Sequence, residues 1–517
     1  MRLERLAQTW SALGATRSRL AKRDLIVGLL RDTAEADVET VVAYLSGSLR
    51  QRRTGVGWRS LQDLPPPAAE ASLTVAEVDD AFARMADLAG PGSVAARIAA
   101  VGVLFGRATA DEQGFLRGLV FGELRQGASE AAVQEGLAAA YEVPVAAVRR
   151  AAMLRSSTTA AAALLHSGGL AALEAVGLQV GIAVQPMLAA SGTDPAAAVE
   201  RTGLPASVDH KLDGIRVQVH RDGDEVRVFT RSLDDITARL PEVVATTLAL
   251  PQSRLVLDGE VLALRPDGRP EVFQAVASRT MSSTDAPDVA ALGAVGDRPP
   301  LRPFFFDLLH VDGRDLLDTP LRERIQVMTS LLPPALLVPR EEAADVETVA
   351  RAFAAAVEQG YEGVVVKNLD APYAAGRRDS AWVKLKPRHT FDLVVTAVEW
   401  GHGRRSGWLS NLHLAARDPT ADRLVMLGKT FKGLTDETLR WQTEHFLSLE
   451  QRRTRGVVHV EPSTVVEIAC YGLQVSTRYP GGVALRFARV LRYRPDKSAD
   501  QADTLETVRA LSPVLPP

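Results

Sequence analysis

The chain has 517 residues, room for about three to four domains at ~150 residues each. Its net charge is −3, so there is no global basic signal for nucleic acid, and any DNA-facing surface must be local. The single cysteine, Cys470, excludes a disulfide framework and a four-cysteine zinc site; no uncharged apolar run of about 18 residues and no long apolar N-terminal core is present, so a cytoplasmic protein without a membrane span is expected.

From Met1 to about Gly181 apolar residues recur three and four apart. The spacing predicts helices in Leu25 to Leu30, Val38 to Leu49, Val75 to Leu88 and Phe115 to Leu124. Breaks fall at Gly55 to Gly57, Pro65-Pro66-Pro67, Gly90-Pro91-Gly92 and Gly168-Gly169. Ser93 and Ser129 read as helix starts without a capping box, because Ala96 and Ala132 stand where Glu or Gln is needed. The alanine-rich Thr158 to Leu165 is a strong helix former. Arg50-Gln51-Arg52-Arg53 and Arg149-Arg150 are the candidate basic clusters, and arginines at helix ends are also ordinary solvated caps.

From Val184-Gln185-Pro186-Met187-Leu188-Ala189 to about Pro387 the pattern is mixed α/β, with helices expected at Leu240 to Leu250 and Val346 to Gln359 and a loop at Asp285 to Pro300. Its most informative run is Asp209-His210-Lys211-Leu212-Asp213-Gly214-Ile215-Arg216, followed by a valine-rich strand. A lysine amine becomes a good nucleophile when a neighbour takes its proton. Asp213 is placed to orient or deprotonate Lys211, and Gly214 to let a bulky ligand approach the backbone. Downstream come Arg231 after a hairpin signal at Asp222-Gly223, Asp258-Gly259-Glu260 in an apolar run, and Phe304-Phe305-Phe306-Asp307. Glu362-Gly363-Val364-Val365-Val366-Lys367 follows, then Ala374-Ala375-Gly376-Arg377-Arg378. Trp382-Val383-Lys384-Leu385-Lys386 sets two lysines on one strand face. After Lys386-Pro387-Arg388 strands are expected at Leu393 to Trp400, Leu412 to Ala416, Arg423 to Thr430, Val465 to Ala469 and Ala484 to Val490. A helix at Asp436 to Glu450 completes a pattern that suits a small Greek-key barrel. The chain closes on Arg492-Tyr493-Arg494-Pro495-Asp496-Lys497.

In this order the motifs resemble those of the ATP-dependent DNA ligases, within the covalent nucleotidyltransferases that also include RNA ligases and capping enzymes. The resemblance implies a multidomain chain. An all-α DNA-binding domain would span 1–181, with Phe115 to Gly127 carrying that likeness. An α/β (ATP-grasp-like) nucleotidyltransferase domain would span 182–387, and a C-terminal β-barrel OB-fold 388–517, pivoting near Lys386 to His389. It implies nick sealing in three steps with ATP as cosubstrate, nicked duplex DNA as partner, and a monomer that encircles it. Lys211 matches the adenylylated lysine. Asp209, Arg216, Arg231, Glu260, Phe306 (stacked on adenine), Arg378, Lys384 and Lys386 match nucleotide contacts. Glu260 and Glu362 match ligands of Mg²⁺, for which Mn²⁺ can substitute, and no zinc is expected. Arg494, Asp496 and Lys497 match the pyrophosphate-holding motif, and Lys429 and Lys432 flank a candidate DNA-backbone contact.

Three residues depart from the family pattern: Asp209 for a longer Glu, His210 for an aromatic or small residue, and Ala488 for proline. Each candidate alone has an ordinary structural reading, as a strand-edge charge, a core ring or a solvated face. A capping enzyme, an RNA ligase and a degenerate scaffold are the competing functions. The long helical region and the joint presence of Lys211, Glu260, Glu362, Lys384 and Lys386 argue against them.

Overall fold

The computed structural model describes residues 1–51, 54–122, 129–271, 276, 300–374 and 378–511, with only the backbone of 378–380. Arg52, Arg53, most of the Gly122 to Gly127 stretch, most of the 285–300 loop and the side chain of Arg378 therefore lie outside the described residues.

The N-terminal part is helical throughout, from Leu3–Ala15 to Thr158–Glu174. Capping boxes close on Thr74 with Glu77 and on Thr109 with Glu112, satisfying two exposed N–H groups each. Ser129 caps its helix through the Ala132 N–H, as expected. Ser93 does not: the cap is Gly92, whose φ of 84° turns the chain into the helix, and Ser93 is the first helical residue. The Gly168-Gly169 break is a kink inside one helix, where Gly169 has φ 62°.

The central part holds two five-stranded sheets. One runs Leu188–Ser191, Arg378–Leu385, Val364–Asn368, Ala206–His210, Arg340–Ala343. The other runs Glu225–Thr230, Ile215–Asp222, Arg254–Ala263, Leu301–Val311, Arg314–Asp315. Alternation along each strand turns one face to an apolar core and the other toward a shared cleft. Val383 and Leu385 are buried in core, while Trp382, Lys384 and Lys386 line the cleft. Helices Pro241–Leu248 and Val346–Glu358 lie where the periodicity put them.

The C-terminal part is β-rich. The long strand His389–Trp400 pairs with Val465–Cys470 along its first half, and with Val457–Val460 and Leu409–Asp418 along its second. This sharing bends the seven-stranded sheet toward a barrel. The expectation of one strand from Ala484 to Val490 fails. Phe487 takes φ 56°, and the chain divides into Val483–Leu485 and Arg489–Tyr493, which belong to different sheets. Cys470 is buried core, as read.

The helical and central parts share one apolar cluster. Val184, Met187, Val256, Leu309 and Leu317 belong to the same core as the N-terminal helices. Arg150 also forks onto Asp318, with both bonds at 2.7 Å. Within the candidate basic clusters, Arg50 pairs with Asp79 at 3.0 Å and Arg149 with Glu135 at 2.9 Å.

Arg324 and Asp307 form an ion pair with both side chains at 0% exposure, bidentate at 2.8 and 3.0 Å. Arg324→Met should lower stability by about 3–5 kcal/mol, because Asp307 is left buried without its cation. Adding Asp307→Leu should recover much of that loss. Calorimetric melting of the full chain checks both, and a single variant that melts with the wild type contradicts the assignment.

Candidate active site

Backbone pairing builds the site. The N–H of Lys211 donates to Gly363 O at 2.8 Å, and the N–H of Glu362 donates to Lys211 O at 3.0 Å. This exchange places the Lys211 and Glu362 side chains together, with Nζ 2.6 Å from the carboxylate. Gly363 permits it: its φ is 135°, and a Cβ there would lie 2.1 Å from Leu385 O. Lys386 bonds the other oxygen of Glu362, and burial lowers its pKa. Lys384, two residues earlier on the same face, donates to Ala189 O at 3.4 Å.

One expectation about the lysine run is corrected. Asp213 does not face Lys211; its carboxylate accepts the fork of Arg486, from the C-terminal part, at 2.6 and 3.3 Å. Gly214 lines the cavity, and a Cβ there would sit 2.2 Å from Val261 O, so the backbone also needs glycine for its own packing. Its N–H donates to Glu260 Oε1 at 3.2 Å.

These groups line a cavity of about 760 Å³ between the two sheets. From the second sheet come Arg216, Glu260 and Phe306, with Arg231 exposed at the rim. Strand pairing sets Arg216 opposite Glu260. Arg216 is bidentate to Asp258 at 3.0 and 2.7 Å and reaches Met187 O at 2.7 Å. Burial pushes Glu260 up to about 7, and Lys211 and Arg216 pull it back only in part. Phe306 meets Trp382 edge-on, with centroids 6.0 Å apart.

Asp209 is buried, paired with Lys367 at 2.6 Å and Arg340 at 3.1 Å. Burial opposes its charge, but those two cations hold its carboxyl below the usual range. His210 packs on Tyr361 at 4.6 Å. Lys429 is tied to Glu399, while Lys432 lies over the Phe487 ring at 5.4 Å.

The structure does not bring Arg494, Asp496 and Lys497 to this cavity. Arg494 and Lys497 pair with Asp392 at 2.8 and 2.5 Å, and Arg494 with Asp496 at 2.6 Å. Arg486 and Phe487 of the same part line the cavity instead. Sequence reasoning gave no role to these two, nor to Lys367, Arg340, Trp382 and Tyr373. The signal available was a charged or aromatic residue inside an apolar strand, as Lys367 and Trp382 are.

Among the described residues no cluster of three or more His, Cys, Asp or Glu forms a metal site, and no helix is long and apolar enough to cross a membrane. Glu260 and Glu362 still suit Mg²⁺, which is commonly held by one or two carboxylates with substrate phosphates completing the shell.

Three family models match: "DNA ligase N terminus" over residues 59–138, "ATP dependent DNA ligase domain" over 186–386, and "ATP dependent DNA ligase C terminal region" over 405–497. A "Probable DNA ligase" of Beutenbergia cavernae is 59% identical, covering 99% of this chain and 100% of its own. One from Nocardioides sp. is 58% identical over 97% of each chain, and one from Kineococcus radiotolerans 57% over 99% and 100%. The solved structure "Pmar-Lig_PreS3" shares the fold with a TM-score of 0.64 at 20% identity, covering 95% of this chain and 99% of its own.

Because Glu260 is raised from 4.5 to about 7, its charged form destabilises the fold once pH passes through that window. The contribution is absent below about pH 4.5, where the carboxyl is protonated folded and unfolded alike, and is fully expressed above 7. Glu260→Gln should therefore gain melting temperature relative to wild type as pH rises from 5 to 8. A difference flat across that range rules the burial argument out.

Proposed function

The chain belongs to the ATP-dependent DNA ligases, and from that premise we propose that it seals nicks in duplex DNA through a lysyl-AMP intermediate. The supporting observation is Lys211 Nζ against Glu362, with Lys384 and Lys386 on the adjoining strand and Glu260, Arg216 and Phe306 on the facing wall. Glu362 is the carboxylate nearest to accept the proton from Lys211. The freed amine attacks the α-phosphorus of ATP and pyrophosphate leaves. The AMP passes to a DNA 5′-phosphate, and the neighbouring 3′-hydroxyl displaces it to form the phosphodiester. Each step is an in-line displacement at phosphorus, so this chain's residues position groups and neutralise charge.

Phe306 offers a ring for the adenine, Arg216 and Arg231 address the sugar and phosphates, and Lys384 and Lys386 the α-phosphate. Asp209 and Arg378 are kept as nucleotide contacts. Glu260 and Glu362 would hold Mg²⁺, which supplies charge neutralisation at the phosphates when bound. We place DNA grip in residues 1–181, nucleotide chemistry in 182–387 and the closing element in 388–517, acting as a monomer around the duplex.

Lys211→Ala and Lys211→Arg should both abolish protein labelling by α-labelled ATP, since a guanidinium stays protonated. The wild-type label should be lost in acid and survive base, as a phosphoramidate does. Retention of label by Lys211→Ala moves the nucleophile elsewhere. Sealing should require Mg²⁺ and fail in excess EDTA, and nicked RNA should be a poorer substrate than nicked DNA.

Lys497 faces Asp392 here, so it reaches ATP only if the C-terminal part rotates. Lys497→Ala should lose self-adenylylation yet seal a nick already carrying 5′-AMP, because no pyrophosphate then remains to be bound. Lys384→Ala should damage both reactions. Equal loss of both in Lys497→Ala counts against the rotation.

A further inference from the structure

We infer that Tyr373 is a positioning residue that holds Arg216 in register with the nucleotide. Tyr373 is 2% exposed and does not line the cavity, so any influence it has on a ligand passes through its neighbours. Its hydroxyl donates to Asp258 Oδ2 at 2.7 Å and accepts the Met187 N–H at 3.1 Å. Arg216 Nη2 stands 3.5 Å from the same oxygen. Arg216 closes the circuit on Asp258 and on Met187 O.

The result is a buried ring of hydrogen bonds in which residue 187 is gripped through both its N–H and its C=O. Met187 leads directly into Leu188 and Ala189, which line the cavity from the first sheet, whereas Arg216 and Asp258 belong to the second. The phenol, together with the Arg216 bond to Met187 O, therefore registers the two walls against each other. A guanidinium has five N–H groups, and those engaged with Asp258 and Met187 leave the remainder directed by the ring rather than by free rotation. Burial, with Asp258 adjacent, holds the phenol protonated well above its usual range, so the donor persists at any working pH.

This inference rests on the reading of Arg216 as a nucleotide contact. The test is self-adenylylation kinetics of the full chain, with melting as a control for folding. Tyr373→Phe should raise KM for ATP roughly tenfold with kcat within about twofold, the pattern of lost binding rather than lost chemistry. Arg216→Ala should also raise KM, and the double variant should be no worse than Arg216→Ala alone, since the phenol acts through the guanidinium.

An unchanged KM in Tyr373→Phe, a fall in kcat alone, or additive effects in the double variant overturns the inference. Should Tyr373→Phe fail to fold, Asp258→Asn opens the same ring and is read by the same criteria. If Arg216→Ala leaves KM unchanged, the reading of Arg216 fails first. If Arg216→Ala raises KM and Tyr373→Phe does not, the positioning role alone fails.

Discussion

The exchange of backbone hydrogen bonds between Lys211 and the Glu362-Gly363 pair is the constraint on which the catalytic arrangement depends. It joins the end of strand Ala206–His210 to the start of Val364–Asn368, residues that are some 150 positions apart in sequence but adjacent strands of one sheet. A side chain on a strand has little positional freedom once its backbone is paired. The amine and the carboxylate are therefore brought together by the ladder, and their ion pair follows from it. Gly363 is indispensable to this for a steric reason, because the Leu385 carbonyl occupies the space a side chain would need.

The charged groups around the cavity form a second layer of the same logic. Asp209 with Lys367 and Arg340, Asp258 with Arg216, and Asp307 with Arg324 are all ion pairs with buried carboxylates. Buried pairs offset their own desolvation at best, so they are weak contributors to stability. Their value is geometric. Each carboxylate fixes a cation whose long side chain otherwise samples many rotamers, and Lys367 is thereby held 4.6 Å from the Phe306 ring and 4.3 Å from that of Trp382.

Much of this was legible in the sequence, and the rest was not for identifiable reasons. Lys211 stood out as a lysine among carboxylates, while Glu362, Lys384 and Lys386 were singled out by the order of their motifs and the family resemblance; strand Arg423–Thr430 matched to the residue because its pattern is a local signal. The partner of Asp213 was misread because proximity in sequence favoured Lys211, while the real partner, Arg486, lies 273 residues away. The division at Phe487 was invisible because a left-handed backbone at an aromatic residue breaks no compositional rule. Phe487 has a positive φ, and it and Arg486 line the cavity. Arg50, Arg149 and Arg150 looked like free basic surface because ion-pair partners cannot be read from a helix pattern.

The C-terminal part carries two basic sets with separate anionic partners. Arg486 sits on Asp213, while Arg494 and Lys497 sit on Asp392 in their own domain. Arg486 joins Asp213, two residues from Lys211, so this contact ties the C-terminal part to the lysine run. Asp392 and Lys497 belong to the same C-terminal part, so their pair lies within it, whereas the Arg486–Asp213 pair crosses from it to the central part. Both contacts are half-buried charge pairs rather than apolar packing. Such pairs are exchanged for other anions at modest net cost, since water and phosphate satisfy the same donors. The contact that joins the C-terminal part to the cavity wall is therefore a charge pair that water or another anion can replace.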